Sequence, residues 1–130
     1  MSGRLVEIIE LDNDLKVEIW DLSRVLAGDR WLVSLEARAD VPLAPEVLSS
    51  TDEKEKLLEV LRRVYGDKVS YRYKQERHFV DKREKEALFQ EFLGILKRNV
   101  VPYLSHRDFA RRLVASKIRE LKARDPRLFF

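Results

Sequence analysis

Three residues have types and spacing suited to catalysis: Asp21, Glu36 and Arg38. Between two runs that alternate apolar and polar residues, Gly28-Asp29 predicts a two-residue hairpin loop, because Gly takes φ > 0 without steric conflict. In that register Ala27 opposes Arg30, Trp20 opposes Ala37, Leu22 opposes Leu35 and Asp21 opposes Glu36. Arg38 then lies two residues further along the same face. Two carboxylates and a cation so placed can hold Mg²⁺ and orient a water for phosphodiester hydrolysis. The competing structural role is a cross-strand ion pair on a solvated face, contributing less than ~1 kcal/mol.

A second set of residues has the chemistry of anion binding. Arg72 and Lys74, with Arg77 and His78 nearby, alternate along a strand pattern that also carries Tyr71 and Tyr73. Arg111, Arg112, Arg119 and Lys122 fall on one outer arc of about 100° on the last helix, at ~100° per residue. Such cations neutralise phosphates, and tyrosines stack on bases. On a strand, however, Tyr71 and Tyr73 point away from Arg72 and Lys74, which assigns the aromatics to a core. A regular basic arc is also what a solvated helix face looks like.

Other chemistries lack their residues. Gly3, Gly28, Gly66 and Gly94 are isolated, so no glycine-rich phosphate loop is present. Without Cys there is no disulfide, thiolate site or cysteine nucleophile. His78 and His106 share no element at ligand spacing, whereas zinc needs three or four converging ligands. Asp12-Asn13-Asp14 begins like a calcium loop, but Lys16 takes the fifth position and no Gly the sixth. No Gly-x-Ser-x-Gly elbow occurs. No cofactor and no metal are therefore expected.

The elements that must position these residues follow from periodicity. Leu5–Leu11, Leu15–Ala27, Trp31–Asp40 and Val69–Val80 read as strands, with Asp12-Asn13-Asp14 and Gly28-Asp29 as turns. Trp31, Val33, Leu35, Ala37 and Ala39 line one face of the third strand; Val17, Ile19 and Val25 lie on the other, with Asp21, Glu36 and Arg38. A sheet apolar on both faces is covered on both, and a second copy of the chain is one cover. In the fourth strand, Val69, Tyr71, Tyr73 and Phe79 share the apolar face. Ser50 and Glu53 form a capping box for a helix that Gly66 closes. A second helix starts at Asp81, with Glu84 three residues on, and stops at Pro102; a third runs from Ser105 to Asp125-Pro126. Leu128-Phe129-Phe130 is an apolar tail that must dock, swap or fray. The prediction is an α+β fold, order β-β-β-α-β-α-α: a four-stranded, mostly antiparallel sheet packed by three helices, in one domain over residues 1–130.

The hairpin bearing Asp21, Glu36 and Arg38, and the order β-β-β-α-β over roughly residues 5–80, resemble the restriction-endonuclease-like nucleases and their Asp…Glu-x-Lys pattern. The resemblance implies a Mg²⁺-dependent nuclease with Asp21 and Glu36 as metal ligands. Arg38 departs from it, standing where that family has a Lys, and Arg hardly deprotonates. No helix precedes the first strand.

The net charge of +3 conceals an asymmetry. Residues 1–65 hold 9 Lys/Arg against 14 Asp/Glu, and residues 66–130 hold 17 against 9. An acidic partner, a nucleic acid, or self-association of opposite faces would each use it. A carboxylate at Glu7 precedes any apolar leader, and no stretch reaches the ~18–20 apolar residues that span a bilayer, so the expectation is a cytoplasmic chain with no membrane partner. The reading is a small binding or interaction domain, non-enzymatic and homodimeric. Nucleic-acid binding is the alternative, and a divergent nuclease the more remote one.

Overall fold

The computed structural model describes residues 3–48 and 53–129. Strands β1 (Arg4–Glu10), β2 (Lys16–Asp21), β3 (Arg24–Ala27) and β4 (Arg30–Pro42) come first. A 3₁₀ turn (Pro45–Val47), helix α1 (Lys54–Tyr65) and strand β5 (Lys68–Asp81) follow. Helix α2 (Lys85–Ile95), a π turn (Leu96–Val100), the one-turn helix α3 (Val101–Leu104), helix α4 (Phe109–Arg124) and a 3₁₀ turn (Pro126–Phe129) complete the order. The fold is α+β, with a five-stranded antiparallel sheet of order β1-β2-β4-β3 in which β5 also pairs with β4. The chain divides into two compact units, residues 1–39 with 72–106 and residues 40–71 with 107–130.

The fifth strand arises because the predicted second strand is interrupted at Leu22-Ser23. Asp21 opposes Leu35 and Arg24 opposes Leu32, so β2 and β3 are two segments of one arm against β4. Between them the ladder is partly carried by side chains. The Leu22 N–H still donates to the Ser34 carbonyl at 2.9 Å, but the Ser34 N–H donates to Ser23 Oγ at 3.0 Å. The Ser23 N–H donates to Asp21 Oδ1 at 2.9 Å. Short polar side chains compete with backbone partners in this way, and the strand breaks where they win.

A bulge then overturns the predicted register. Ala27 opposes Arg30, as the two-residue loop requires, but the ladder shifts by one between Val25 and Ala27. Beyond that point Trp20 opposes Glu36 and Asp21 opposes Leu35. A one-residue shift moves every side chain to the other face. Val17 and Ile19 therefore join Val33, Leu35, Ala37 and Ala39 on a single face, all six at 1% exposure or less. Glu18, Trp20, Ser34, Glu36 and Arg38 occupy the opposite face, flanked from β1 by Leu5 and Ile8, which are exposed.

Helix α2 lies against the apolar face. Lys85 Nζ sits 4.5 Å from the Trp31 ring centroid, Arg77 sits 5.9 Å from that of Phe92, and Lys97 of the π turn pairs with Glu7 at 2.9 Å. The predicted stop at Pro102 is not observed. The π turn widens the helix just before the proline, and the helical path continues to Leu104 with Pro102 in the first turn of α3. Proline lacks an N–H and crowds the carbonyl four residues back, and both are tolerated in a first turn. Ser105 consequently ends α3 instead of starting α4, whose N-cap position is Asp108. Asp81 ends β5 and accepts the Arg83 N–H at 2.9 Å, so α2 begins later, at Lys85.

In the second unit, α1 starts at Lys54 with Glu53 in a left-handed conformation, and Gly66 closes it at φ +86 with its N–H on the Arg62 carbonyl. The predicted cap at Ser50 lies outside the described residues. Leu58, Leu61, Val69, Phe109, Val114 and Leu121 are buried there, and Tyr71 packs edge-on to Phe109 at 5.6 Å. Phe79, by contrast, is 69% exposed although the strand alternation assigns it to the core, because its φ of +60 breaks the alternation before Val80. Such a φ is rare for a bulky residue.

Asn13 ties the β1–β2 turn to the end of α3. Its Nδ2 donates to the carbonyls of Leu104 at 2.7 Å and His106 at 3.0 Å, while its Oδ1 accepts the Leu15 N–H at 3.2 Å. Replacing Asn13 with Ala removes partners from carbonyls at a helix end, and should destabilise the protein by about 1–2 kcal/mol in denaturant titrations with an unchanged slope.

Candidate functional site

The structure separates the residues of the nuclease-like hairpin. Asp21 shares a face with Leu35, whereas Glu36 and Arg38 project from the other side of the sheet. Asp21 accepts from Arg4 at 3.3 Å and from the Ser23 N–H. Glu36 is buried and accepts from Arg38 Nε; the Arg38 guanidinium lies 5.0 Å from the Trp20 ring centroid, and Trp20 Nε1 donates to Glu18 at 3.1 Å. The bulge undoes the predicted opposition of Asp21 and Glu36. Among the described residues no three His, Asp or Glu side chains converge at metal-binding distance.

Arg72 and Lys74 lie where the alternation puts them, exposed on β5 with Glu76 and His78. Tyr71 and Tyr73 are half-buried. Lys74 pairs with Glu76 at 3.5 Å, and Glu76 also accepts from Ser34 Oγ at 2.8 Å. That row of charges carries its own counter-ion, so it is not a simple basic patch.

The cations of α4 have a different setting. Arg111, Ala115, Ile118 and Lys122 recur every three or four residues and so form one stripe along the helix. The stripe borders a cleft of about 400 Å³. Val47 and Leu48 of the 3₁₀ segment, Leu57 of α1, and Val114, Ala115 and Ile118 of α4 give it an apolar floor. Lys56, Arg111, Arg119 and Lys122 stand around it against one carboxylate, Glu53. Ala115 leaves the floor open because its side chain is short. Phe129 of the C-terminal tail forms part of the wall, with Lys122 Nζ 5.4 Å from its ring centroid.

Arg111 Nε donates to the Glu46 carbonyl at 3.1 Å, which steadies the guanidinium and leaves its other N–H groups available. Arg119 and Lys56 make no hydrogen bond or ion pair with another described residue. Arg112 stands apart, paired with Asp108 at 4.0 Å and outside the cleft lining. Three of the four predicted α4 residues are thus brought together, and Arg72 and Lys74 are elsewhere, in the other unit. Sequence reasoning missed Val47, Leu48, Lys56, Leu57 and Phe129. The signal available was the apolar tail and the short Ala115 within an otherwise bulky stripe.

No protein-family model, curated protein or solved structure matches the chain.

The Glu76 carboxyl titrates below its ordinary value, chiefly because the Ser34 hydroxyl donates to it; desolvation opposes this, and the charge of Lys74 assists. With the folded pKa depressed, the stabilisation is fully present above the unfolded value and is lost as pH falls through the folded one. Ser34→Ala should raise the Glu76 pKa toward the ordinary carboxylate value in a carboxyl-detected NMR titration. The stability gap between wild type and variant should narrow as the solution is acidified.

Proposed function

We propose that this protein is a binding domain whose ligand is an anionic amphiphile, an acid head on an apolar body, held in the cleft of α1 and α4. The carrying observation is the combination of Lys56, Arg111, Arg119 and Lys122 around a floor of Val47, Leu48, Leu57, Val114 and Ile118. The volume of about 400 Å³ is that of a small-molecule site. An apolar floor favours burial of a hydrocarbon, at roughly 0.8 kcal/mol per CH₂. The guanidinium heads stay exposed, but the apolar floor beside them lowers the effective dielectric across which they attract a carboxylate or phosphate. Arg119 and Lys56, which have no ion-pair partner among the described residues, are the head-group contacts, and Arg111, held by Glu46, positions the entrance. A nucleic-acid backbone would use the cations and leave the floor idle, which makes it the lesser reading.

Decanoate below its micellar concentration should bind in calorimetry, and decanol should bind about 10- to 150-fold more weakly, since one charge-assisted hydrogen bond contributes ~1.5–3 kcal/mol. Arg119→Ala should weaken decanoate to a similar degree, and Ala115→Leu should abolish binding by filling the floor. If an oligonucleotide bound more tightly than decanoate and Ala115→Leu left its affinity unchanged, the amphiphile reading would fail in favour of nucleic acid.

A further inference from the structure

Strand β5 pairs with β4 and has no second strand partner among the described residues. An unpaired edge offers alternating N–H and C=O groups to another strand. The usable length is bounded on one side by Phe79, whose left-handed φ of +60 interrupts the pleat. Residues 72–78 precede it as a regular exposed or half-buried run, with Gln75 at its centre.

We infer that this edge pairs antiparallel with the same edge of a second copy, about a two-fold axis through Gln75. In that register Lys74 stands opposite Glu76 of the second copy, and Glu76 opposite its Lys74. Tyr73 faces Arg77 of the second copy, an aromatic ring beside a guanidinium, and Arg72 faces the His78 imidazole. Because Lys74 and Glu76 already pair within one chain at 3.5 Å, the four charges alternate in sign around the axis. Ser34 holds the Glu76 carboxylate in place before association.

Charge selects this register over its neighbours. An axis through Lys74, Glu76 or Arg77 sets that charge against its own copy, and an axis through Tyr73 sets Arg72 against Lys74. Only Gln75 is neutral at the axis with opposite charges on both sides. The other strands with a single partner are less suited: β3 is only 4 residues long, and β1 is interrupted by a register shift between Leu5 and Glu7, with an axis at its centre opposing Glu7 to itself. The pairing involves no residue of the α1–α4 cleft, so it stands or falls separately from the ligand proposal.

Sedimentation equilibrium without ligand tests it. The wild type should show a monomer–dimer equilibrium that weakens with added salt. Lys74→Glu and Glu76→Lys should each weaken association about tenfold, because each sets like charges opposite one another twice. An equimolar mixture of the two should regain roughly the wild-type affinity, since both opposed pairs then become complementary. Glu76→Lys also removes the Ser34 contact, so Gln75→Glu provides a second variant. It keeps an acceptor for the Tyr73 hydroxyl, now 2.8 Å away, but places two carboxylates at the axis, and should weaken the dimer likewise. A wild type that stays monomeric to several hundred micromolar, a Gln75→Glu variant that associates like wild type, or a mixture of folded charge variants no tighter than either alone would overturn the inference.

Discussion

The β-bulge between Val25 and Ala27 is the constraint on which the first unit depends. A strand has a side-chain period of two, so one extra residue decides which of two complete sets of side chains is buried. With the bulge, β2 contributes Val17 and Ile19 to the face that already holds Val33, Leu35, Ala37 and Ala39. Without it, β2 would set Glu18 and Trp20 beside those residues and leave Val17 and Ile19 with Glu36. Burying two branched side chains is worth about 1.5–3 kcal/mol each, and burying a carboxylate unpaired costs more than that. The local irregularity is stabilised by the global pattern.

The same shift creates the polar side of the sheet and the need to satisfy it. Ser34 and Glu36 are both buried there, and each has a partner. Ser34 is involved twice: its N–H reaches Ser23 Oγ at the break between β2 and β3, and its hydroxyl reaches Glu76 on β5. Glu36 is neutralised by Arg38, which in turn stacks on Trp20. No buried side-chain nitrogen or oxygen among the described residues lacks a hydrogen-bond partner. Residues that suggest catalysis by type alone, Asp21, Glu36 and Arg38, are accounted for by backbone capping and charge pairing once the register is known.

What was legible in the sequence is what local physics decides. The span of β5, the Asp12-Asn13-Asp14 turn, the Gly28 hairpin and the Gly66 helix end all follow from period two or from a residue able to take φ > 0. The failures come from longer range. Val25-Leu26-Ala27 is uniformly apolar, so nothing in it marks a bulge, and the decision rests on Val33, Leu35, Ala37 and Ala39, beyond the turn in β4. Pro102 obeys its steric rule, but a preceding π turn supplies the room that the rule assumes absent. Phe79 leaves the core because its own backbone is left-handed, which an alternating pattern cannot reveal. For the cleft, the cations were legible as an arc on α4, while the floor needed α1, the 3₁₀ segment and Phe129 to be brought to them.

That last difference separates an arc on a solvated surface from one that borders an apolar cleft. Arg111, Arg112, Arg119 and Lys122 are similar in type and spacing, but Arg112 faces water and Asp108, and its charge is largely spent on screening and on that pair. The other three stand beside apolar carbon that water does not solvate well. A cation there pays little in desolvation itself, since its head remains accessible, yet its field acts across a medium of lower effective dielectric. An anion with a hydrocarbon body gains from both neighbours at once, whereas a purely ionic partner gains from one. For such a ligand the floor would set selectivity and the rim affinity for the head, and the two are assembled jointly from the 3₁₀ segment, α1 and α4.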